Sequence, residues 1–216
     1  MLTTVAHVSA EPGRPSAAEP PSIERIRRAA LASFAAQGAA ATTLRGVAAA
    51  AGVSLGLVQH HFATKAGLIK AVDDYVLDIV ITPMSQPIEE GSATDSISEV
   101  GQRVNQIISE HPEVAAYLGR AVVDGSELGA TVFDRLLEVG AARWQVRADT
   151  GEARPDIDVW WAATNSLVLA LGAVSLRTHI ERHLPEPFTA PEQLTRWQTS
   201  VDTLLREGLF PPPDRR

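Results

Sequence analysis

GVSLGLVQHHFATKAGL, residues 52–68, places a glycine, an apolar pair and two adjacent histidines where a tight turn should feed a short helix. The stretch can be read as a metal or acid/base site on His60 and His61, or as a surface shaped to lie against a duplex. Neighbouring histidines on a helix point ~100° apart and do not converge on one ion. The flanking residues favour the second reading. Thr43 can cap a helix running to about Ala51, Gly52 closes it in the left-handed conformation that costs least without a Cβ, and Ser54 caps the next, very short helix.

Two helices joined by three residues pack at a steep angle only with a small side chain at the crossing, and Ala48 supplies it. Val47, Ala51, Val53 and Val58 then seal the space between them, while Leu44 and Phe62 extend it toward the preceding and following helices. This is a helix-turn-helix. Leu55, Gly56, Leu57, Gln59, His60 and His61 are left outward or partly outward, on a helix too short to serve as core and suited to a DNA major groove.

With these residues assigned, TTLRGVAAAAGVSLGLVQHHFATKAGLIKAV resembles the DNA-binding region of the tetracycline-repressor (TetR) family of transcriptional regulators. The likeness covers about residues 22–72 and rests on Gly52, the apolar residue after it, Ser54, Gly56, Phe62 and Lys65 at the family's spacing. It departs at Gln59 and His61, where members often carry tyrosine. In that docking mode the candidate DNA-binding residues are Thr43, Arg45, Ser54, Leu55, Gly56, Leu57, Gln59, His60, His61 and Lys65. Thr43 and Lys65, at helix starts, suit phosphates. Arg45 reaches a guanine edge or a phosphate, and Gln59 offers the donor and acceptor pair that adenine requires. Gly56 admits the backbone closely, Leu55 and Leu57 suit thymine methyls, and His60 and His61 suit phosphates or sugar.

Charge divides the chain in the same place. The net charge is −7, yet residues 22–72 sum to +5 and those from 73 onward to −11. A basic module on an acidic body points to a polyanion partner at one end only. The composition, 45% hydrophobic over 216 residues, supports a real core. The absence of cysteine excludes disulfides and thiolate zinc sites, and no apolar run approaches the ~18 residues of a membrane span, so a cytoplasmic protein is expected.

Helical periodicity dominates, so the expected fold is all-α with about nine helices. Residues 1–21 read as a flexible N-terminal tail, 22–72 as a three-helix helix-turn-helix DNA-binding domain, 73–210 as a helical effector-binding and dimerisation domain, and 211–216 as a C-terminal tail. Ser22 stands where an N-cap belongs, with Ile23, Ile26, Ala30 and Phe34 on one stripe and Arg25 and Arg28 in solvent. A helix from Lys65 should stop at Pro83. Further helices are expected at about 94–110, 112–124, 126–149, 156–184 and 190–209. The helix at 156–184 is apolar around much of its girth, so something must cover it.

The resemblance implies that the last two helices form a four-helix homodimer interface, and a twofold dimer implies a palindromic operator. It also implies a cavity in the second domain, whose unknown small-molecule effector releases DNA from a repressor. Tyr117, Arg120, Phe133, Trp144, Trp161 and Asn165, large groups interspersed with polar ones, are the candidate ligand-binding residues. No catalytic residue, metal or cofactor is expected, because no nucleophile stands near a base and no phosphate-cradling glycine loop occurs. His179 and His183 have i, i+4 spacing without a third ligand. The competing classes are a helical dimerisation or protein-binding module without sequence-specific DNA binding, and an all-helical enzyme.

Overall fold

The computed structural model describes residues 21–88 and 93–209, without the side chains of 93–95 and 209. The expected C-terminal tail, and the N-terminal one apart from Pro21, lie outside the described residues. The rest is helical: α1 (Ser22–Gln37), α2 (Leu44–Ala51), α3 (Leu55–Phe62), α4 (Lys65–Ser85), α5 (Ala93–Glu110), α6 (Pro112–Val123), α7 (Glu127–Asp149), α8 (Val159–Ser175), α9 (Arg177–Glu181) and α10 (Pro191–Leu209).

Among the described residues ten helices stand where about nine are expected, because the segment 156–184 is divided. Asp158 caps α8 by accepting from Trp161 N at 3.0 Å, which sets the start at Val159 rather than Asp156. At the other end Leu176 leaves helical geometry, with φ −96° and ψ 8°. The bend brings Ile180 and Leu184 against a cluster of Ile108, Ala115, Ala173, Phe188 and Leu194.

Four other expectations change. Ser22 is the first residue of α1 rather than its cap, and its hydroxyl meets His61 Nε2 at 3.2 Å. Ile23 is 42% exposed, so the buried stripe of α1 is Ile26, Ala30, Leu31 and Phe34. Arg25 is partly buried and reaches the Gly52 carbonyl at 3.5 Å instead of standing in solvent. Pro83, finally, lies inside the last turn of α4, which continues to Ser85. The carbonyls at and beyond this helix end turn to side chains. Arg103 donates to Pro83 (2.9 Å), Gln86 (2.8 Å) and Pro87 (2.8 Å), and Arg143 donates to Met84 (2.6 Å) and Gln86 (3.1 Å).

The main core spans both parts of the chain. Ile26, Phe34, Val47, Val58 and Leu68 from α1–α4 join Val114, Tyr117, Leu118, Leu128 and Val132 from α6 and α7 in one cluster. The helix α4 runs straight through the expected boundary at residues 72–73. At the junction Phe34 packs on Tyr117 with ring centroids 5.8 Å apart, and the Tyr117 hydroxyl donates to Asp73 at 2.9 Å. Burial raises the Asp73 pKa, partly offset by that hydrogen bond, and burial followed by the Asp73 contact pushes Tyr117 above the ordinary phenol range.

Candidate nucleic-acid interface

Local chemistry builds the turn. Thr43 Oγ1 accepts from Gly46 N at 3.0 Å, fixing the start of α2. Gly52, at φ 66° and ψ 36°, ends it, with Gly52 N donating to Ala49 and Val53 N to Ala48 at 3.2 and 3.0 Å. This pair of bonds is a Schellman closure, for which glycine is favoured at the left-handed position. Ser54 Oγ then accepts from Leu57 N at 3.2 Å and starts α3.

The side chains of α3 sort by duty. Val58 is fully buried, Phe62 and Leu55 are partly buried against the same core, and Leu57 is half-buried. Gly56, Gln59 and His60 are exposed. Among the described residues, Gln59 and Arg45 make no side-chain hydrogen bond or ion pair, so their polar tips are free for a ligand. The His60 ring meets the neighbouring His61 ring edge-on, with centroids 5.4 Å apart. His61 is half-buried and tied to Ser22 at the start of α1, which leaves it less of its surface to offer.

The exit from α3 is as tight as its entrance. Thr64 N donates to Phe62 O at 2.6 Å across Ala63, whose φ of 57° is the one positive value at a non-glycine residue among the described residues. This γ-turn and the Thr64 cap on Gly67 N, at 3.0 Å, hold α3 rigidly on α4. Lys65 Nζ donates to the Ala40 carbonyl at 2.8 Å, pinning the loop before α2 beside the start of α4. Thr43, Arg45, Gly56, Gln59 and His60 are thus exposed around one turn, with Lys65 half-buried beside them.

In the body, an apolar cavity of about 190 Å³ lies among α4, α5, α6, α7, α8 and α10. Of the six candidate ligand-binding residues, Trp144 lines it. The other five do not, and each for a reason of packing. Tyr117 is spent in the junction with Phe34 and Asp73, Arg120 is exposed and pairs with Asp124 at 3.4 Å, and Phe133 packs on the main core. Trp161, 54% exposed, and Asn165 border a separate open depression at the start of α8. The cavity wall instead carries Arg143 and Arg147, one turn apart on α7 beside Trp144. Their i, i+4 spacing on an otherwise mixed helix was the available signal. Among the described residues, no group of three His, Asp or Glu side chains gathers to hold a metal, His179 and His183 included. No described helix is long and apolar enough to cross a membrane.

Residues 26–72 match the family model described as "Bacterial regulatory proteins, tetR family". The HTH-type transcriptional regulatory protein RaaS of Mycobacterium tuberculosis is 30% identical over 134 residues, which are 62% of this chain and 60% of that protein. Among solved structures, the fold is similar to SmeT, the repressor of the Stenotrophomonas maltophilia multidrug efflux pump SmeDEF. The TM-score is 0.67 at 20% identity, covering 87% of this chain and 90% of that one. It is likewise similar to the transcriptional regulator FadR from Bacillus subtilis in complex with stearoyl-CoA, with a TM-score of 0.69 at 18% identity, covering 86% and 98%. Over residues 26–72 the chain is thus similar to the bacterial regulatory proteins of the tetR family, and its all-helical fold is similar to those of SmeT and FadR.

Proposed function

We propose that the chain is a sequence-specific DNA-binding transcriptional regulator, a homodimeric repressor that leaves a palindromic operator when a small-molecule effector occupies the body. The observation that carries this reading is α3 itself. Its one fully buried side chain anchors it, and Gln59 and His60 face solvent at the end of a rigid turn. Thr43 and Lys65 take the phosphates and set register, Arg45 and Gln59 read base edges, and Gly56 allows the backbone to approach. Leu57 supplies apolar contact, whereas Leu55 is divided between core and groove.

The dimer is supported by a face that no described element covers. Trp160, Trp161, Val168 and Leu176 on α8 and its end, with Leu204 on α10, are each more than half exposed. Apolar groups of this size, gathered on the last helices, mark an association surface. A second copy suits it because two α3 helices related by a twofold axis read successive major grooves. The body acts on DNA through α4 and the shared core, and an effector shifts that balance only by binding the released state more tightly.

Gel-shift titration tests the assignment of roles. On the cognate duplex, Gln59→Ala is expected to lose about 1–3 kcal/mol while binding to scrambled duplex stays unchanged. Lys65→Ala should weaken both alike and flatten the dependence of log affinity on log salt. Equal losses on both duplexes for both variants would refute the base-reading role of Gln59. Retention that is equal on cognate and scrambled duplex for the unaltered chain would favour a module without sequence-specific DNA binding.

A further inference from the structure

The cavity wall is mostly apolar, with Ser166, Gln198 and Asp202 as polar groups on α8 and α10, and it carries two arginines where α7 meets the end of α4 and the start of α5. Arg147 is 7% exposed, stacks over the Trp144 ring at 5.0 Å and donates through Nη2 to Ser96 Oγ. Its Nε is buried and, among the described residues, has no hydrogen-bond partner. Arg143 also lines the cavity and spends Nη2 on the carbonyls of Met84 and Gln86. Arg103 stands close behind, paired with Glu99. Among the described residues neither arginine is in an ion pair; desolvation and then the charges of Arg103 and Arg147 lower the Arg143 pKa, opposed by Glu99, and desolvation, opposed by Glu152, lowers that of Arg147. On the far wall Asp202 is already engaged by Ser98 Oγ at 2.9 Å, and Arg206 donates to the same hydroxyl at 2.6 Å.

A buried guanidinium with an unused donor, beside a second one that among the described residues is held by neutral carbonyls, is a site prepared for an anion. Planar N–H donors match a carboxylate in particular. Resting on the effector reading above, we propose that the cavity takes an apolar molecule bearing one carboxylate, which Arg147 and Arg143 bind while its hydrocarbon fills the space toward α8 and α10. This names the regulation as well. Arg143 now holds the last carbonyls of α4, the helix that carries α3, and a carboxylate on Arg143 competes with them. Its arrival loosens the end of the element on which the DNA-facing turn is mounted.

Calorimetric titration of the full chain with decanoate, decanol and decyltrimethylammonium at pH 7.5 tests the proposal. Decanoate should bind about tenfold or more tightly than decanol, and the cation most weakly. Arg147→Gln should abolish the preference for decanoate while keeping decanol affinity, which also shows the cavity intact. Decanol binding as tightly as decanoate, binding of neither, or an undiminished preference in Arg147→Gln would each overturn the carboxylate site. The comparison of the three ligands on the unaltered chain decides the matter even if the variant fails to fold. Retention of the cognate duplex with and without decanoate is scored separately. Decanoate that binds with the expected preference yet leaves DNA retention unchanged would sink the effector reading and leave the carboxylate site standing.

Discussion

Phe34→Ala is expected to lower the unfolding free energy by about 3–5 kcal/mol, the range for truncating a buried aromatic side chain. Phe34 has no exposed surface and sits at the last turn of α1, where it meets the Tyr117 ring of α6. The buried cluster it belongs to draws on α1–α4 and on α6–α8, so the cavity left behind would open at the seam between α1–α3 and the body. Fluorescence-monitored urea unfolding of the variant and the unaltered chain gives the number directly, and thermal unfolding should shift down by roughly 10 °C. Coupling is affected too. With the seam loosened, the effector's influence on DNA affinity should shrink by more than DNA affinity itself at temperatures where the variant stays folded. A loss below about 1 kcal/mol would mean that the two parts do not share a core at Phe34.

Gly67→Ala should be the most damaging single-methyl change near the DNA-facing surface. A Cβ at this position would lie 2.3 Å from the Phe62 carbonyl oxygen, a backbone atom at the exit of α3 that a rotamer change cannot relieve. The chain from Phe62 to Lys65 is fixed by the γ-turn at Ala63 and the Thr64 cap, so the strain must be released by lifting α3 off the first turn of α4. Overpacking of this kind is expected to cost about 1–3 kcal/mol of stability. Affinity for the cognate duplex should fall at least as far, because tilting α3 disturbs base-edge contacts worth about 1–3 kcal/mol each. Gly56→Ala is the contrast. Its added Cβ would find the Ser54 hydroxyl at 3.9 Å, which is ordinary contact, so stability should hold while the groove-facing approach is crowded. Equal stability and equal DNA affinity for Gly67→Ala would show that the position of α3 is not set by this junction.

The turn between α2 and α3 was legible because its determinants are local. Thr43, Gly52 and Ser54 each act within three residues on their own backbone, and the caps form where residue chemistry demands. The burial of Val47, Ala48 and Val58 followed from the same spacing. Periodicity erred where a helix meets several neighbours. It placed Ile23 inside because the stripe was extended to the first turn, although no described element buries that side chain. It also gave one helix at 156–184, since nothing in the local residue types announces the bend at Leu176.

The cavity was harder still. Most of α6 is buried, and α7 packs on α4, α6 and α8 at once, so large side chains such as Tyr117 and Phe133 offer no clue to which neighbour they meet. Only the assembled helices show that Trp144, Arg143 and Arg147 share the open face. Arg143 and Arg147 acquire significance from partners distant in sequence, the α4 carbonyls and Ser96. Trp161 and Asn165 looked like pocket residues by type but lie toward the uncovered face of α8.

The central claim is that two copies of α3 are presented to successive major grooves. Selection of bound sequences from a random duplex pool tests it most directly. The account predicts enrichment of an inverted repeat whose half-site centres are about one helical turn, 34–36 Å, or a multiple of it apart. Failure to enrich any sequence over the starting pool, or enrichment of a motif without twofold symmetry, would contradict it.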